Sequence, residues 1–408
     1  MKRYLLPLLM LLSAAVFSQT ASDVLKYSYL TPGGSARYLG AGGAFGALGA
    51  EFASLSQNPA GLAMYRTNEL MLTPALRFAN TDATLPGNNP TLDESKSHFR
   101  FDNLGIVFNT TPRTGKWKTF NVGIGFNQLA NFNQAIYYTG NAEGTILNDW
   151  FANARPILQN GNDTDLDPFT SGLAYQSGAI YFQDGVPTYD FEGNENATVG
   201  RTQTITQSGT INEMVLSLAG NYDEKLMIGA TVGVPFVRYR LDGDYQERDA
   251  AGVVEYFDDL SYTEYLATDG VGVNVKLGVI YRASQSLRIG AHVHSPTWMR
   301  LTDDFNNSFY YQYTDGSGTN SDRANSPSGN FDYRLATPWR AALSGAMLIQ
   351  KRGFVSAEVE WVDYSASQYN FTADVSNTAN KEAERQVNNE IRRLLDPAMN
   401  VRLGAEAV

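Results

Sequence analysis

Two histidines spaced two residues apart, His292 and His294, are the side chains in this sequence that point most directly to ligand chemistry. Apolar residues alternate with them, so both imidazoles are expected on the same face of a β-strand. Paired imidazoles can coordinate haem iron. Polar lining of an inner surface is the simpler interpretation, and the sequence leaves both open.

Two carboxylates with the same spacing, Glu358 and Glu360, also share a predicted strand face. A carboxylate pair can serve as acid and base in hydrolysis, but two carboxylates on one strand more simply line a polar interior. No arrangement of nucleophile and base stands out in the sequence. We therefore expect no enzymatic activity.

Three aspartates, Asp163, Asp165 and Asp167, have the opening spacing of a calcium-binding loop. That loop requires Gly where Pro168 stands and Glu where Ala174 stands. A solvated acidic loop is the better interpretation. We predict neither a metal nor a cofactor.

The beginning of the chain has the pattern of a secretion signal, with Lys2 and Arg3 followed by an apolar run to Phe17. This predicts a signal peptide over residues 1–18. The chain has 408 residues, no Cys and a net charge of −11. The missing cationic clusters argue against a nucleic-acid partner.

Strict alternation of apolar and polar or small residues is the main structural signal after residue 65. It is clearest over residues 271–282 and continues over residues 287–294. Several alternating segments reach about ten residues, the length that a tilted membrane-spanning strand needs. An all-β fold, a transmembrane antiparallel β-barrel over residues 65–408, is therefore favoured over a soluble β-sandwich.

The predicted connections alternate between short and long. Residues 222–225, 283–286 and 350–353 predict tight turns, whereas residues 139–201, 243–262 and 303–331 predict long polar links. Short turns on one side of the membrane and long loops on the other are typical of outer-membrane barrels. Within the longest link, Leu147–Leu158 predicts a short helix ending near Pro156. Its apolar side chains either receive an apolar ligand or pack a small core of the loop.

Residues 19–64 consist largely of small residues, including Gly40-Ala41-Gly42-Gly43-Ala44. They carry too few large side chains to build a core, so we expect them to be held inside a larger structure as a hatch. The segment ends with a corner predicted to be rigid, because proline fixes its own φ and keeps the preceding residue out of the helical region. This hatch motif consists of Asn58, Pro59, Ala60 and Gly61.

Three segments, in order, resemble one family. They are the stretch from Gly40 to Leu62, the pair of strands from Leu277 to Pro296, and Glu358-Val359-Glu360-Trp361-Val362-Asp363-Tyr364-Ser365. Together they resemble the outer-membrane long-chain fatty acid and aromatic-hydrocarbon transporters of the FadL/TodX type. The resemblance covers most of the chain after the signal.

The resemblance implies a 14-stranded barrel with an N-terminal hatch, in the outer membrane of a Gram-negative cell. Substrate would land on outer loops, enter an apolar pocket and leave sideways into the membrane. The implied partners are hydrophobic small molecules, membrane lipid and the outer-membrane assembly machinery. About ten long strands are recognisable before Val408, so we expect a chain truncated at its C-terminus.

The alternation in one strand breaks after Phe126, and the break is a candidate lateral gap. Asn127, Gln128 and Asn131 fall where apolar residues would keep the phase. Polar side chains facing lipid are destabilising, so such a break predicts a bulge or a gap in the wall. Alternatively, the strand leaves the bilayer at this point.

The first functional hypothesis is passive transport of hydrophobic molecules such as long-chain fatty acids. Arg77, Arg100 and Lys276 are then candidate partners for a ligand carboxylate. Two alternatives stay open: a haemin receptor using His292 and His294, and a non-transporting barrel that anchors adhesive or assembly loops.

Overall fold

The computed structural model describes residues 20–31, 33–350, 352–371 and 378–407. The predicted signal peptide, residues 1–18, lies outside the described residues. Seventeen strands dominate this part of the chain, and they are β1 (Glu69–Thr84), β2 (Thr91–Thr110), β3 (Trp117–Asn131), β4 (Gln134–Glu143), β5 (Tyr181–Gln183), β6 (Val186–Thr188), β7 (Thr198–Tyr222), β8 (Leu226–Arg248), β9 (Phe257–Arg282), β10 (Leu287–His294), β11 (Trp298–Asp315), β12 (Gly318–Asn325), β13 (Gly329–Ala336), β14 (Arg340–Leu348), β15 (Gly353–Asp363), β16 (Gln368–Asn370) and β17 (Pro397–Ala407).

Five α-helices and four short 3₁₀ helices complete the described secondary structure. The α-helices are α1 (Ala21–Ser28), α2 (Ala36–Gly40), α3 (Leu147–Gln159), α4 (Ser171–Gln176) and α5 (Thr378–Leu394). The 3₁₀ helices are Phe52–Ser56, Pro59–Met64, Asp163–Asp165 and Tyr364–Ala366. No helix in the described ranges is both long and apolar enough to span a bilayer.

Fifteen of the strands form one antiparallel sheet, which confirms the predicted all-β fold. Its main path runs β1-β2-β3-β7-β8-β9-β10-β14-β15-β17. The path contains ten strands, as many as the alternation predicts. In the described chain β1 and β17 are its two edges. The sheet curls around residues 20–31 and 33–65, which we call the inner segment.

The outer face of this sheet carries an apolar belt. Side chains pointing outward are mostly large and exposed, whereas their neighbours point inward and are buried, because successive strand residues face opposite sides. On β9, for example, Val273 and Val275 are exposed while Asn274 and Lys276 are buried. The belt includes Leu70, Leu72, Phe99, Phe101, Ile124, Phe126, Leu216, Leu218, Ile228, Val232, Phe236, Val271, Leu277, Ile289, Leu343, Val355, Val359, Met399, Val401 and Leu403.

Aromatic side chains mark both borders of the apolar belt. Trp117 and Tyr281 are exposed at the end where the chain makes short turns, which we call the lower end. Trp298, Trp339 and Trp361 are exposed at the opposite, upper end. Aromatic girdles of this kind lie at the two interfaces of membrane-spanning sheets, where one side of the ring is apolar and the other is wet.

The strands continue far beyond the belt at the upper end, so the prediction of long polar links there is wrong in part. β8 extends to Arg248 and β9 starts at Phe257, while β11, β12 and β13 occupy most of the predicted link 303–331. Above the membrane both faces of a strand can be polar. The apolar alternation on which the prediction rested is therefore lost, although the hydrogen-bonded ladder continues.

Residues 144–197, between β4 and β7, form an upper lobe with its own core. Leu147, Phe151 and Leu158 of α3 are buried against Phe257 of β9 and Phe309 of β11. The apolar side chains of this link therefore pack a core within the loop, one of the two alternatives that the sequence left open. The helix does not end at Pro156 but continues to Gln159.

Candidate functional site: the interior and a break in the wall

The hatch motif forms a tight corner deep inside the sheet. The Asn58 side-chain oxygen accepts a hydrogen bond from Ala60 N at 3.1 Å, and its side-chain nitrogen donates to Gly46 O at 2.6 Å. Pro59 opens the 3₁₀ helix that follows. An asparagine that caps a helix starting with proline satisfies backbone groups that would otherwise remain unpaired.

Glycines of the wall allow this corner to approach the sheet. A Cβ on Gly278 of β9 would lie 1.9 Å from Asn58 Oδ1, and one on Gly229 of β8 would lie 2.3 Å from Pro59 O. Neither position accepts a side chain without displacing the corner. The small residues of the wall are therefore matched to the inner segment.

A network of charges joins the inner segment to β14, β15 and β17. Gln57 Nε2 donates to Glu358 Oε1 at 2.6 Å, and Arg402 donates to the same atom at 2.7 Å. Arg402 also donates to Glu360 at 2.9 Å, and Glu360 accepts from Arg340 at 3.3 Å. Glu358 and Glu360 thus line the interior and pair with arginines, as the pore-lining interpretation expects. Arg340 also donates to Ser28 O, at the end of α1.

A second network lies against β7 and β9. Lys276 forms a salt bridge with Glu213, and both side chains are buried. Glu213 also accepts from Ser56 Oγ at 2.7 Å and from Asn274 Nδ2 at 3.0 Å. Lys276, a candidate partner for a ligand carboxylate, is therefore engaged by a carboxylate of the protein.

The two histidines lie on the inner face of β10, close to the hatch motif. Their rings are stacked with centroids 5.0 Å apart, and His294 Nε2 lies 2.6 Å from Gln57 O. Neither ring nitrogen of His292 has a hydrogen-bond partner within the described residues. The cavity that His294 lines holds about 20 Å³, room for one water molecule rather than a haem. Haem contact stays a prediction.

Arg77 and Arg100, the other two candidate carboxylate partners, are brought together by Asp102. Arg77 donates to one carboxylate oxygen at 2.7 Å and Arg100 to the other at 2.9 Å. Asp102 itself is buried and also accepts from Gly34 N of the inner segment at 3.3 Å. Both arginines line a cleft of about 600 Å³ between β1, β17 and the inner segment.

The candidate lateral gap falls where β2 and β3 separate. Their pairing ends at Asn103 and Asn127, and the register of β3 with β7 shifts between Gln128 and Ala130. Asn127 and Gln128 are buried, and Asn131 is half-buried and accepts from Asn133 Nδ2 at 2.6 Å. The three residues thus lie at or beyond the point where β2 and β3 stop pairing, while β3 stays paired with β7.

The inner segment, not another strand, satisfies the freed edge of β3. Thr31 N donates to Leu129 O at 2.8 Å, and Gly33 N donates to Gln128 O at 2.9 Å. Unpaired backbone groups are strongly destabilising in a membrane. The inner segment therefore completes the wall at this point.

Above the charged networks the interior becomes apolar. Val24 and Tyr27 of α1 pack with Leu129, Met299, Leu335 and Ile391 in one cluster, and the last of these belongs to α5. Helix α5 is not predicted from the sequence, because polar residues dominate residues 378–394. Its apolar positions Val387 and Ile391 are four residues apart, a helical spacing that was the available signal.

At the lower end the inner segment leaves the sheet beside a three-residue ionic contact. Arg66 donates to both carboxylate oxygens of Glu224, at 2.7 and 2.5 Å, and Arg282 donates to one of them at 2.9 Å. Glu224 lies in the turn between β7 and β8. The hydrogen bond from Arg66 lowers the pKa of this carboxyl to about 2.

The fold and the interior together define a class: a membrane-spanning antiparallel sheet curled around its own N-terminal segment. Among solved structures, the chain is similar to the toluene transporter TodX of Pseudomonas putida, with 12% identity over 84% of this chain and 74% of that one and a TM-score of 0.40. It is also similar to the monoaromatic hydrocarbon channel CymD (12% identity, 84% and 73% covered, TM-score 0.39) and to a Pseudomonas aeruginosa FadL homologue (9% identity, 92% and 96% covered, TM-score 0.29). No protein-family model and no curated protein sequence matches the chain.

Proposed function

We propose that this protein is a passive outer-membrane conduit for hydrophobic molecules such as long-chain fatty acids. In this proposal residues 1–18 are the signal peptide, residues 19–64 are the hatch and residues 65–408 form the barrel wall. The observation that carries the proposal is the break between β2 and β3, which backbone hydrogen bonds from Thr31 and Gly33 close.

The break offers a way out to lipid that leaves the strand ladder intact. At Gln128 and Leu129 the inner segment is the partner of β3, so moving Thr31 and Gly33 away would open the wall without separating two strands. Only two backbone hydrogen bonds would have to break, and each costs about 0.5–1.5 kcal/mol net as long as water from the interior replaces the lost partner.

The interior next to the break suits an amphipathic ligand. The apolar cluster around Tyr27 and Leu129 adjoins it on the upper side. On the other side Arg77 and Arg100 share Asp102, which contacts Gly34 of the same inner segment. A fatty acid crossing the break would meet apolar side chains along its tail and two guanidinium groups near its carboxylate.

A disulfide across the break tests the proposal, and the absence of native Cys makes the test clean. The double variant Thr31→Cys, Leu129→Cys should form a disulfide that ties the inner segment to β3. In a Gram-negative host without its own fatty-acid channel, uptake of labelled oleate should fall several-fold when the pair is oxidised. Adding a reductant should restore it.

The matched control is a disulfide between strands that are already paired. Ala346 and Ser356 are register partners on β14 and β15. The variant Ala346→Cys, Ser356→Cys should transport oleate equally well in both redox states. Equal uptake by the oxidised and reduced Thr31→Cys, Leu129→Cys protein refutes lateral exit. If expression of the wild-type chain gives no uptake at all, the alternative of a non-transporting anchor is favoured.

A further inference from the structure

The upper lobe contains an open cleft that the proposed transport path does not use. It has a volume of about 550 Å³ and lies between the lobe, the start of β9 and the turn that joins β11 to β12. The residues that matter for its chemistry are four aromatic and two acidic side chains: Tyr181, Phe182, Tyr256, Tyr313, Asp190 and Asp315.

Two of the four rings are presented to solvent, whereas Tyr181 and Tyr313 are half-buried and Tyr313 packs against the core of the lobe. Phe182 is 45% exposed and Tyr256 is 46% exposed. Tyr256 also has a φ of +74°, a conformation that a bulky residue adopts only against strain. The surrounding chain holds it there, because Thr314 N donates to Tyr256 O at 2.8 Å. The strained backbone therefore keeps Tyr256 among the residues that line the cleft.

The two carboxylates are fixed in place by neighbouring donors. Asp190 accepts hydrogen bonds from Tyr181 at 3.0 Å and from Tyr311 at 2.6 Å. Asp315 accepts from the backbone N of Ser317 at 2.7 Å and from its hydroxyl at 2.6 Å. Both carboxylates are therefore oriented before any ligand binds, which lowers the entropic cost of fixing these side chains on binding.

No Lys or Arg balances these carboxylates among the described residues that line the cleft. The lobe around it is acidic as well. Between residues 145 and 199 the single basic residue is Arg155, which pairs with Glu192 at 3.3 Å. The acidic residues of the same stretch are Asp149, Asp163, Asp165, Asp167, Asp184, Asp190, Glu192 and Glu195.

We propose that this cleft binds a small organic ammonium ion. Aromatic faces attract such cations through their quadrupoles, most strongly when several rings surround the charge. The fixed carboxylates supply the opposite charge, and the acidic lobe raises the local concentration of cations. A neutral sugar would use the same rings but gain nothing from the net charge. A bound hydrocarbon would place an apolar surface against both carboxylates, which is unfavourable because the charges would lose water without gaining a partner.

The test uses the full chain in an oligo(ethylene glycol) detergent, which carries neither charge nor sugar. Tetramethylammonium chloride is titrated by saturation-transfer difference NMR at constant ionic strength, with maltose and oleate as separate ligands. Tyr256→Gly should weaken tetramethylammonium binding about fivefold, and Asp190→Asn at least as much. Glycine accepts the positive φ without strain, so Tyr256→Gly should remain folded.

The matched control is Asp184→Asn, which removes one negative charge from the same lobe outside the cleft. It should change binding by less than about a factor of two. If Asp184→Asn and Asp190→Asn weaken tetramethylammonium binding equally, the binding reflects only the overall negative charge of the lobe, and the proposed site is refuted. Saturable binding of maltose with no binding of tetramethylammonium also refutes it. Oleate uptake by Tyr256→Gly should match wild type, so this inference and the proposed function fail independently.

Discussion

Lys276 on β9 and Glu213 on β7 form their salt bridge across the inner face of β8, directly over Gly233. A Cβ on that glycine would lie 2.3 Å from Glu213 Oε1 and 2.6 Å from Asn274 Oδ1. The missing side chain on β8 is therefore what allows residues of two non-adjacent strands to meet. Because Ser56 donates to the same glutamate, the contact also holds the inner segment.

Breaking this ion pair on one side should be more damaging than removing it entirely. Lys276→Met or Glu213→Gln leaves a buried charge unpaired and should destabilise the protein by about 3–5 kcal/mol. The double variant Lys276→Met, Glu213→Gln should lose less than the worse single variant. Thermal unfolding in detergent, followed by the loss of the compact band on a gel, ranks the stabilities of the three variants.

The exposed pair between Arg37 and Glu406, 2.6 Å apart, is the control for that measurement. Arg37→Gln should change stability by at most about 1 kcal/mol, because solvent screens an exposed pair. If Lys276→Met is no worse than Arg37→Gln, the buried network contributes little to holding the inner segment.

Gly278 and Asn58 should be energetically coupled. Gly278→Ala places a methyl group 1.9 Å from Asn58 Oδ1 and should destabilise the fold by about 1–3 kcal/mol through overpacking. Asn58→Ala should itself cost about 1–2 kcal/mol by removing the cap. Because the clash involves the Asn58 side chain, the double variant should be destabilised by clearly less than the sum.

Gly345 on β14 is the control for Gly278, because apart from its own chain neighbours no described residue has an atom within 4 Å of the position that its Cβ would take. Gly345→Ala should be neutral or slightly stabilising. Unfolding in detergent compares the variants. Strict additivity of Asn58→Ala and Gly278→Ala contradicts the close approach of the corner to the wall.

The contact between Arg66 and Glu224 should make the lower end sensitive to acid. The pKa of Glu224 is lowered from 4.5 to about 2, so the contact stabilises the fold above pH 4.5 and is lost as the pH falls from about 4.5 to about 2. Glu224→Gln should remove that part of the pH dependence, with a loss of no more than about 1 kcal/mol at neutral pH. Unfolding temperatures of the wild-type chain and Glu224→Gln between pH 2 and pH 7 measure this difference.

Asp223 lies next to Glu224 in the same turn and is exposed, so Asp223→Asn is the natural comparison. It should keep the acid dependence of the wild-type chain. The same acid profile in Glu224→Gln and wild type rules out this glutamate as its source.

Asp102 should compete with a ligand carboxylate for Arg77 and Arg100. Asp102→Asn removes the charge that both guanidinium groups now engage, so more fatty acid should be retained during purification in mild detergent. The double variant Arg77→Gln, Arg100→Gln should retain less than wild type. Mass spectrometry of the extracted lipids gives the amounts, and equal amounts in all three proteins exclude the arginines as ligand partners.

The belt part of the fold could be predicted from sequence because lipid on one side and a polar interior on the other impose strict alternation. Val273 outside and Lys276 inside follow from that pattern alone. The upper halves of β11 and β13 could not be predicted, because water on both faces removes the signal. The pairing of β2 with β3 ends at Asn127, directly after the position where the alternation breaks, and whether this is a lateral gap stays a prediction.

The partners of the candidate site residues could not be predicted from local pattern. Asp102, which engages Arg77 and Arg100, and Glu213, which engages Lys276, carry no motif of their own, and they meet their partners only through register. The hydrogen bond from Gly33 to the edge of β3 could not be predicted from the sequence either. That contact depends on how a segment without strand pattern is laid against a distant strand.

Because the inner segment supplies wall hydrogen bonds as well as filling the interior, the order of assembly in time is constrained. Its contacts range from Gly33 with Gln128 to Arg37 with Glu406, the latter spanning 369 residues. Contacts so distant in sequence form slowly. The inner segment can therefore contact β3 early, but it completes its contacts only after β17 has been made. If the strands insert before the inner segment is in place, the backbone groups at the edge of β3 remain unpaired in lipid. The wall must then open again before the inner segment can pair with that edge.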